Sequence, residues 1–175
     1  QCDGSWVNED SETRPQSFSG KRLLEAESLL AGSGLASTVI RFAGIYGPGR
    51  NRLIEQVRNR QGCAPSPPLY TNRIHRDDCV GLLAHLLRLQ WQGQALQTCY
   101  IGVDSEPVTM WEIKQWLAQQ LGIPFGQLHS QSVTRRNSKR CSNRRMLDSG
   151  YKLLYQGYQQ GYSELLRQQG LKPLL

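Results

Sequence analysis

Two segments carry apolar residues at helical spacing and two carry short β-branched runs, and they alternate along the chain. From Phe18 to Ala31, Leu23, Ala26 and Leu30 fall at i, i+3 and i+7, which predicts one apolar helix face ended by Gly32 and Gly34. The run Ser37 to Phe42, STVIRF, is short, β-branched and bounded by glycines, so it predicts a strand buried on both faces. A loop with Gly44, Gly47, Pro48 and Gly49 follows, then a short helix from Asn51 to Asn59 and a loop through Pro65, Pro67 and Pro68. Between Asp78 and Leu89, Val80, Leu83, Ala84 and Leu87 repeat at i, i+3, i+4 and i+7, with Asp77 or Asp78 available as the cap. Thr98 to Val103 predicts a second strand. Thr109 to Glu112 has the capping-box spacing, with Val108 placed to staple against Ile113, and the helix it starts runs to Leu121. Shorter helices are expected near 143–148 and 163–169.

Helix, glycine break and buried strand are half of an α/β unit, and a length of 175 residues with 38% hydrophobic content fits one ordinary domain. No window approaches the ~20 apolar residues that span a bilayer. The first residue is Gln1 and the opening is polar, so the chain is expected to be a fragment whose beginning lies elsewhere. Five cysteines, Cys2, Cys63, Cys79, Cys99 and Cys141, are scattered and form no CxxC pair, which suggests neither a zinc site nor a disulfide framework and points to a reducing, cytoplasmic setting.

The formal charge of +7 is concentrated: residues 135–152 hold Arg135, Arg136, Lys139, Arg140, Arg144, Arg145 and Lys152 against Asp148 alone. One local anion site or one solvated basic loop explains this better than a nucleic-acid-binding surface, because no aromatic residues interleave with the charges and no nucleic-acid motif accompanies them.

In open parallel sheets ligands gather beyond the carboxyl ends of strands, so the AGIYGPGR loop after STVIRF is the first candidate site. Its glycines do not have GxGxxG spacing, and by spacing alone a tight turn is the simpler reading.

RFAGIYGPGR, TNRIHRDD at 71–78 and DSEPVTMWEIKQWLA at 104–118 occur in that order, and together they resemble the extended short-chain dehydrogenase/reductase family, the NAD-dependent epimerases and dehydratases. SGKRLLEAESLL and KRCSNRRMLDSGYKLLY resemble more narrowly its atypical, YeeZ-like branch. The resemblance implies an α/β fold, a partial Rossmann-like doubly wound sheet made of the later strands and helices, with a small C-terminal α/β substrate region. It implies one partial NAD(P)-binding domain over 1–175, with roughly 44–70 and 104–175 on the substrate side. The glycine-rich turn that holds the pyrophosphate is absent from these residues, so the chain is expected to bind the dinucleotide poorly, and the resemblance implies NAD or NADP, the residue that chooses between them lying upstream in the family.

Family catalysis pairs a Tyr with a Lys four residues later, the ammonium lowering the phenol pKa for proton transfer as hydride moves. Alignment on Glu25-Ala26-Glu27 puts Ser19 and Leu23 at those positions, and alignment on Lys21 puts Ser17 opposite the Tyr. Ser19 and Lys21 are therefore the catalytic candidates, against the plain reading of a solvated helix start. By resemblance the backbone of Ala43, Gly44 and Ile45 faces the nicotinamide, with Tyr46 and Arg50 near the substrate mouth. The substrate-phosphate Arg of the family falls at Thr71, for which Arg73 is a substitute two residues on. His75 and Asp78 match the family motif, with a packed histidine and a helix cap as the simpler roles. Lys139 and Arg140, with Asn143, are candidates for holding an anionic substrate or cofactor phosphate. The resulting expectation is an NAD(P)-dependent oxidoreductase or epimerase/dehydratase-like protein acting on a small anionic metabolite. The alternative is a non-catalytic NAD(P) sensor, and a homodimer is an allowed assembly.

Overall fold

The structure, a computed structural model, describes residues 4–131 and 138–171. Cys2, Arg135 and Arg136 lie outside them. The elements in order are β1 (Trp6–Val7), α1 (Phe18–Gly32), β2 (Val39–Phe42), β3 (Gly44–Tyr46), α2 (Arg52–Arg58), β4 (Gln61–Cys63), β5 (Tyr70–Thr71), β6 (Arg73–His75), α3 (Arg76–Trp91), β7 (Cys99–Gly102), β8 (Val108–Thr109), α4 (Met110–Gln120), β9 (His129–Gln131), β10 (Arg140–Cys141), α5 (Arg144–Asp148) and α6 (Tyr158–Gln168). This is an α/β fold with the later strands of a Rossmann-like sheet, and among the described residues four of the five strand pairs are parallel.

The site is positioned by a change of partner along one strand. β2 pairs with β7 from Val39↔Cys99 to Phe42↔Gly102, and Ala43 N–H still donates to Gly102 O at 3.0 Å. One residue later Gly44 N–H donates to Asn72 O at 3.2 Å, and β3 continues against β6. On the other side of β6, Asp104 N–H donates to Arg73 O at 2.8 Å. β6 therefore enters between β2–β3 and the extension of β7 as they part, and Ala43 and Gly44 stand at this change of partner beyond β2, the place where open parallel sheets have their ligand crevice. Gly102 is required beneath it, since a Cβ there would meet the Phe42 ring at 2.5 Å.

Two cores hold this frame. One joins Tyr46 to Ile54 and Val57 of α2, Ile113 and Leu117 of α4, and Tyr162, Leu165 and Leu166 of α6. The other joins Leu82 and Leu86 of α3 to Tyr100, Met146, Tyr151 and Leu153. The capping box is present as expected: Thr109 Oγ1 accepts from Glu112 N–H, and the Glu112 carboxylate accepts from Thr109 N–H. Val108 and Ile113 share the first core.

Five expectations are corrected. The Leu23, Ala26 and Leu30 face of α1 is not buried: the helix has no buried residue and meets the sheet through Glu27, which Arg41 grips with Nε and Nη2. In α3 the stripe of Val80, Leu83 and Leu87 is exposed, while Asp78, Cys79, Leu82 and Leu86 face inward. The partner decides this, because the 151–155 segment presents hydrogen-bond donors to Asp78 and packs Tyr151 and Leu153 in one cluster with Leu82 and Leu86. The cap of α3 is neither aspartate but His75, whose Nδ1 accepts from Asp77 N–H at 3.2 Å. Finally, β2 is half-buried, since β7 covers one edge and none of its residues is enclosed. The last helix also starts earlier than expected, at Tyr158.

Candidate functional site

At the crevice, Gly44 is exposed while Ala43 and Ile45 are half-buried. The N–H groups of Ala43 and Gly44 are both engaged by the sheet, so a ligand laid there meets backbone surface and carbonyls rather than free donors. Gly44 leaves room for it. The Gly47 to Arg50 turn closes with Arg50 N–H on Gly47 O at 2.9 Å, and Gly47 has φ 145°. A side chain at Gly47 would collide with Arg76 Cβ at 2.9 Å and approach His75 Nε2 at 3.4 Å, so the turn packs directly on the start of α3. Arg50 is exposed at its tip.

Behind this rim lies a buried polar cluster. Tyr46 is 4% exposed, stacked on Tyr162 at 4.5 Å and edge-on to His75 at 5.2 Å. His75 is in turn 4.1 Å from the Tyr155 ring. Tyr46 thus sits inside the core and not at an open mouth. Arg73, 6% exposed, donates from Nη2 to Thr71 Oγ1 at 2.9 Å, consistent with both side chains lying on one side of the strand. Arg73 Nη1, Tyr46 Oη, His75 Nε2 and Asp104 Oδ2 are all buried without a hydrogen-bond partner. Burial pushes the Asp104 carboxyl up to about 7 despite the nearby Arg73 charge, and burial also raises the Tyr46 and Tyr162 hydroxyls.

Burial lowers the His75 pKa against the pull of Asp77, so the 3.7 Å approach of Asp77 Oδ2 to Nδ1 is not an ion pair. Since Nδ1 accepts from Asp77 N–H, the proton of the neutral ring is on Nε2, facing the glycine turn. Asp78 is fully buried and works as a clamp: its carboxylate accepts from Leu154 N–H at 2.7 Å, Tyr151 Oη–H at 2.9 Å and Tyr155 N–H at 3.1 Å.

The two catalytic candidates stand apart from this cluster. Ser19 and Lys21 are on the first turns of exposed α1, where Ser17 is the cap and its Oγ accepts from Gly20 N–H. Lys21 borders an open groove of about 660 Å³ with Pro15, Leu24 and Leu29. Among the described residues no hydrogen bond or ion pair links either to His75. Lys139 and Arg140 are nearer the crevice, because the Asn72 carboxamide joins the two strands: Nδ2 donates to Lys139 O and Oδ1 accepts from Cys141 N–H. Asn143 Nδ2 donates to Val103 O and Ser105 Oγ, a structural tie and not a free ligand.

Sequence reasoning missed Asp104, Tyr155 and Tyr162. Asp104 was discoverable, since it follows β7 as Ala43 and Gly44 follow β2. The tyrosines carried no local signal. Among the described residues no His, Cys, Asp or Glu group is arranged to hold a metal, and no helix is long and apolar enough to cross a membrane.

No protein-family profile and no curated protein matches the chain. Solved structures do. A putative NAD-dependent epimerase/dehydratase from Methylobacillus flagellatus is 39% identical over 95% of this chain and 59% of its own, with a TM-score of 0.82. A functionally unknown conserved protein from Silicibacter pomeroyi DSS is 26% identical over 95% and 61%, with a TM-score of 0.73. Human epimerase family protein SDR39U1 with NADPH shares the fold at 20% identity over 93% and 60%, with a TM-score of 0.72. The chain spans about three fifths of the length of each.

Proposed function

We propose that the chain is part of an extended short-chain dehydrogenase/reductase, on its 39% identity to a solved putative NAD-dependent epimerase/dehydratase, and that it forms the substrate-side part of an NAD(P)-dependent oxidoreductase or epimerase/dehydratase-like protein acting on a small anionic metabolite. The observation that carries the reading is the parting of strands at Ala43 and Gly44, where an exposed glycine backbone meets the His75 and Arg73 strand. When bound, the nicotinamide supplies hydride transfer. Residues 43–45 fit its flat ring, because Gly44 has no side chain to hold it off. No residues of the chain fit the pyrophosphate, since it contains no GxxGxxG turn.

In this reading residues 44–70 and 104–175 surround the substrate. Arg50 lies at the rim, and Arg140 follows Lys139, whose carbonyl is held by Asn72. Arg73, Tyr46 and His75 form the floor, and they reach substrate through the Nε2–H of His75 or through a shift of α6. A cytoplasmic setting fits the free thiols among the described residues, Cys63, Cys79, Cys99 and Cys141.

A second reading, a dinucleotide sensor without turnover, is favoured by one observation: Ser19 and Lys21 stand on exposed α1, unlinked to the cluster, and no Tyr-xxx-Lys pair replaces them. Titration with NADH and NADPH, followed by nicotinamide fluorescence, tests both. Saturable binding that weakens in Gly44→Val supports them, and turnover of an added metabolite then decides for the enzyme. No saturable binding of either nucleotide, in this chain or a longer form, ends both.

A further inference from the structure

The basic segment contains one arginine whose surroundings differ from those of its neighbours. The Arg140 guanidinium lies over two rings, with Cζ 5.2 Å from the Trp6 centroid and 4.9 Å from that of Tyr70. Its Nε donates to Gly4 O at 2.7 Å. Gly4 permits this closure, since a Cβ there would touch the Tyr70 ring at 3.0 Å. The strand is fixed as well, by the pairing Trp6↔Arg140 and by Asn72 on both flanking residues. Among the described residues Nη1 and Nη2 have no partner and no carboxylate lies within ion-pair distance, and neither atom is among the buried orphans.

A guanidinium held at Nε and covered by rings has one free side, the Nη1–Nη2 fork. That side offers two parallel N–H donors in a fixed plane, the geometry that suits a carboxylate or phosphate. Most of the entropy normally lost in ordering an arginine is already removed by the rings. Arg144, by contrast, is 87% exposed and only loosely paired with Asp148 at 3.6 Å. Successive strand residues point to opposite sides, so Lys139 does not share the fork. The path to the crevice is short: Arg140 follows Lys139, whose carbonyl is bound to Asn72, whose own carbonyl receives Gly44 N–H.

We propose that Arg140, held over the rings of Trp6 and Tyr70, is an oxyanion receptor at the edge of the crevice and takes the carboxylate or phosphate of the ligand through its Nη fork. This rests on the reading above that the site accepts an anionic metabolite. It assigns the recognition to Arg140 rather than to the basic segment as a whole, and makes Trp6 and Tyr70 parts of the site.

The test is a titration of the chain with inorganic phosphate and, separately, acetate, at constant ionic strength set by chloride, followed by tryptophan fluorescence. The expected result is a saturable change, lost in Trp6→Phe, with the tighter of the two anions identifying the ligand group. Arg140→Lys keeps the charge and removes the fork, and should weaken binding about tenfold or more, the size expected for losing a charge-assisted hydrogen bond. Arg144→Gln removes a charge from the same segment and should leave it unchanged. Equal binding in Arg140→Lys, or an equal loss in Arg144→Gln, overturns the proposal in favour of a diffuse basic surface. Independently of any variant, the Arg140 Nε–H resonance of the parent must shift with anion, and an unmoved resonance overturns it too. NADH binding measured on Arg140→Lys separates the two ideas: nucleotide binding kept with anion binding lost supports the receptor, while a parent that binds anion without binding nucleotide removes only the dinucleotide reading.

Discussion

Replacing Asp78 tests how the floor of the site is held. The carboxylate accepts two backbone N–H groups, from Leu154 and Tyr155, and the Tyr151 hydroxyl. Nothing else in the described structure ties the 151–155 segment to the start of α3 by so many bonds. In Asp78→Ala the Leu154 and Tyr155 N–H groups lose their acceptor, while the Tyr151 hydroxyl keeps the Asp78 carbonyl at 3.1 Å. A stranded buried donor costs about 1–3 kcal/mol, and the low end applies to Leu154, which is exposed. The total is about 3 kcal/mol. Asp78→Asn keeps one accepting oxygen and turns an NH2 group toward a backbone N–H, for a cost of about 2 kcal/mol. Tyr151→Phe loses one bond of the three and should cost about 1 kcal/mol. Urea unfolding followed by far-UV circular dichroism reads the order directly, and with a slope of about 2 kcal/mol/M the alanine variant should move the midpoint by about 1.5 M. The reasoning fails if Asn and Ala both stay within about 0.5 kcal/mol of the parent, or if Tyr151→Phe costs as much as Asp78→Ala.

Asp104, held up to about 7 by burial, is protonated more readily in the folded than in the unfolded chain, so its contribution favours folding at low pH and is lost as pH rises from about 4 through 7. Asp104→Asn should therefore be more stable than the parent at pH 8, by at most roughly 4 kcal/mol, with the gap closing toward pH 4; a gap independent of pH would disprove the assignment. Gly102→Ala drives a methyl into the Phe42 ring and should cost about 1–3 kcal/mol, whereas an unchanged melting temperature would mean that Phe42 can turn aside. The exposed leucines of α1 and the Val80, Leu83 and Leu87 stripe of α3 form apolar surface that should drive self-association. A sharp monomer peak on size-exclusion chromatography at micromolar concentration would contradict this.

What was legible from sequence is what neighbouring residues decide among themselves. Thr109 and Glu112 cap each other across three positions, and glycines and prolines stop the chain wherever they occur, so helix α4, the extents of α1 and α3, and the strands around Val39 and Tyr100 could be read in advance. The candidate loop after β2 was legible for the same reason, together with the general habit of parallel sheets. Which face of α3 turns inward was not legible. The Val80 stripe has the better apolar spacing, yet Asp78 is inside because donors from 151–155, over seventy positions away, satisfy its carboxylate. The same holds for His75, a cap where two aspartates stood next to it, and for Tyr46, a core ring where an open mouth was expected. Arg140 shared its candidacy as an anion ligand with Lys139 until folding laid its guanidinium over the rings of Trp6 and Tyr70. Spacing along a chain records contacts made within a turn or two of helix or strand, while burial, orphaned polar atoms and stacked cations depend on partners that only the tertiary structure brings within reach.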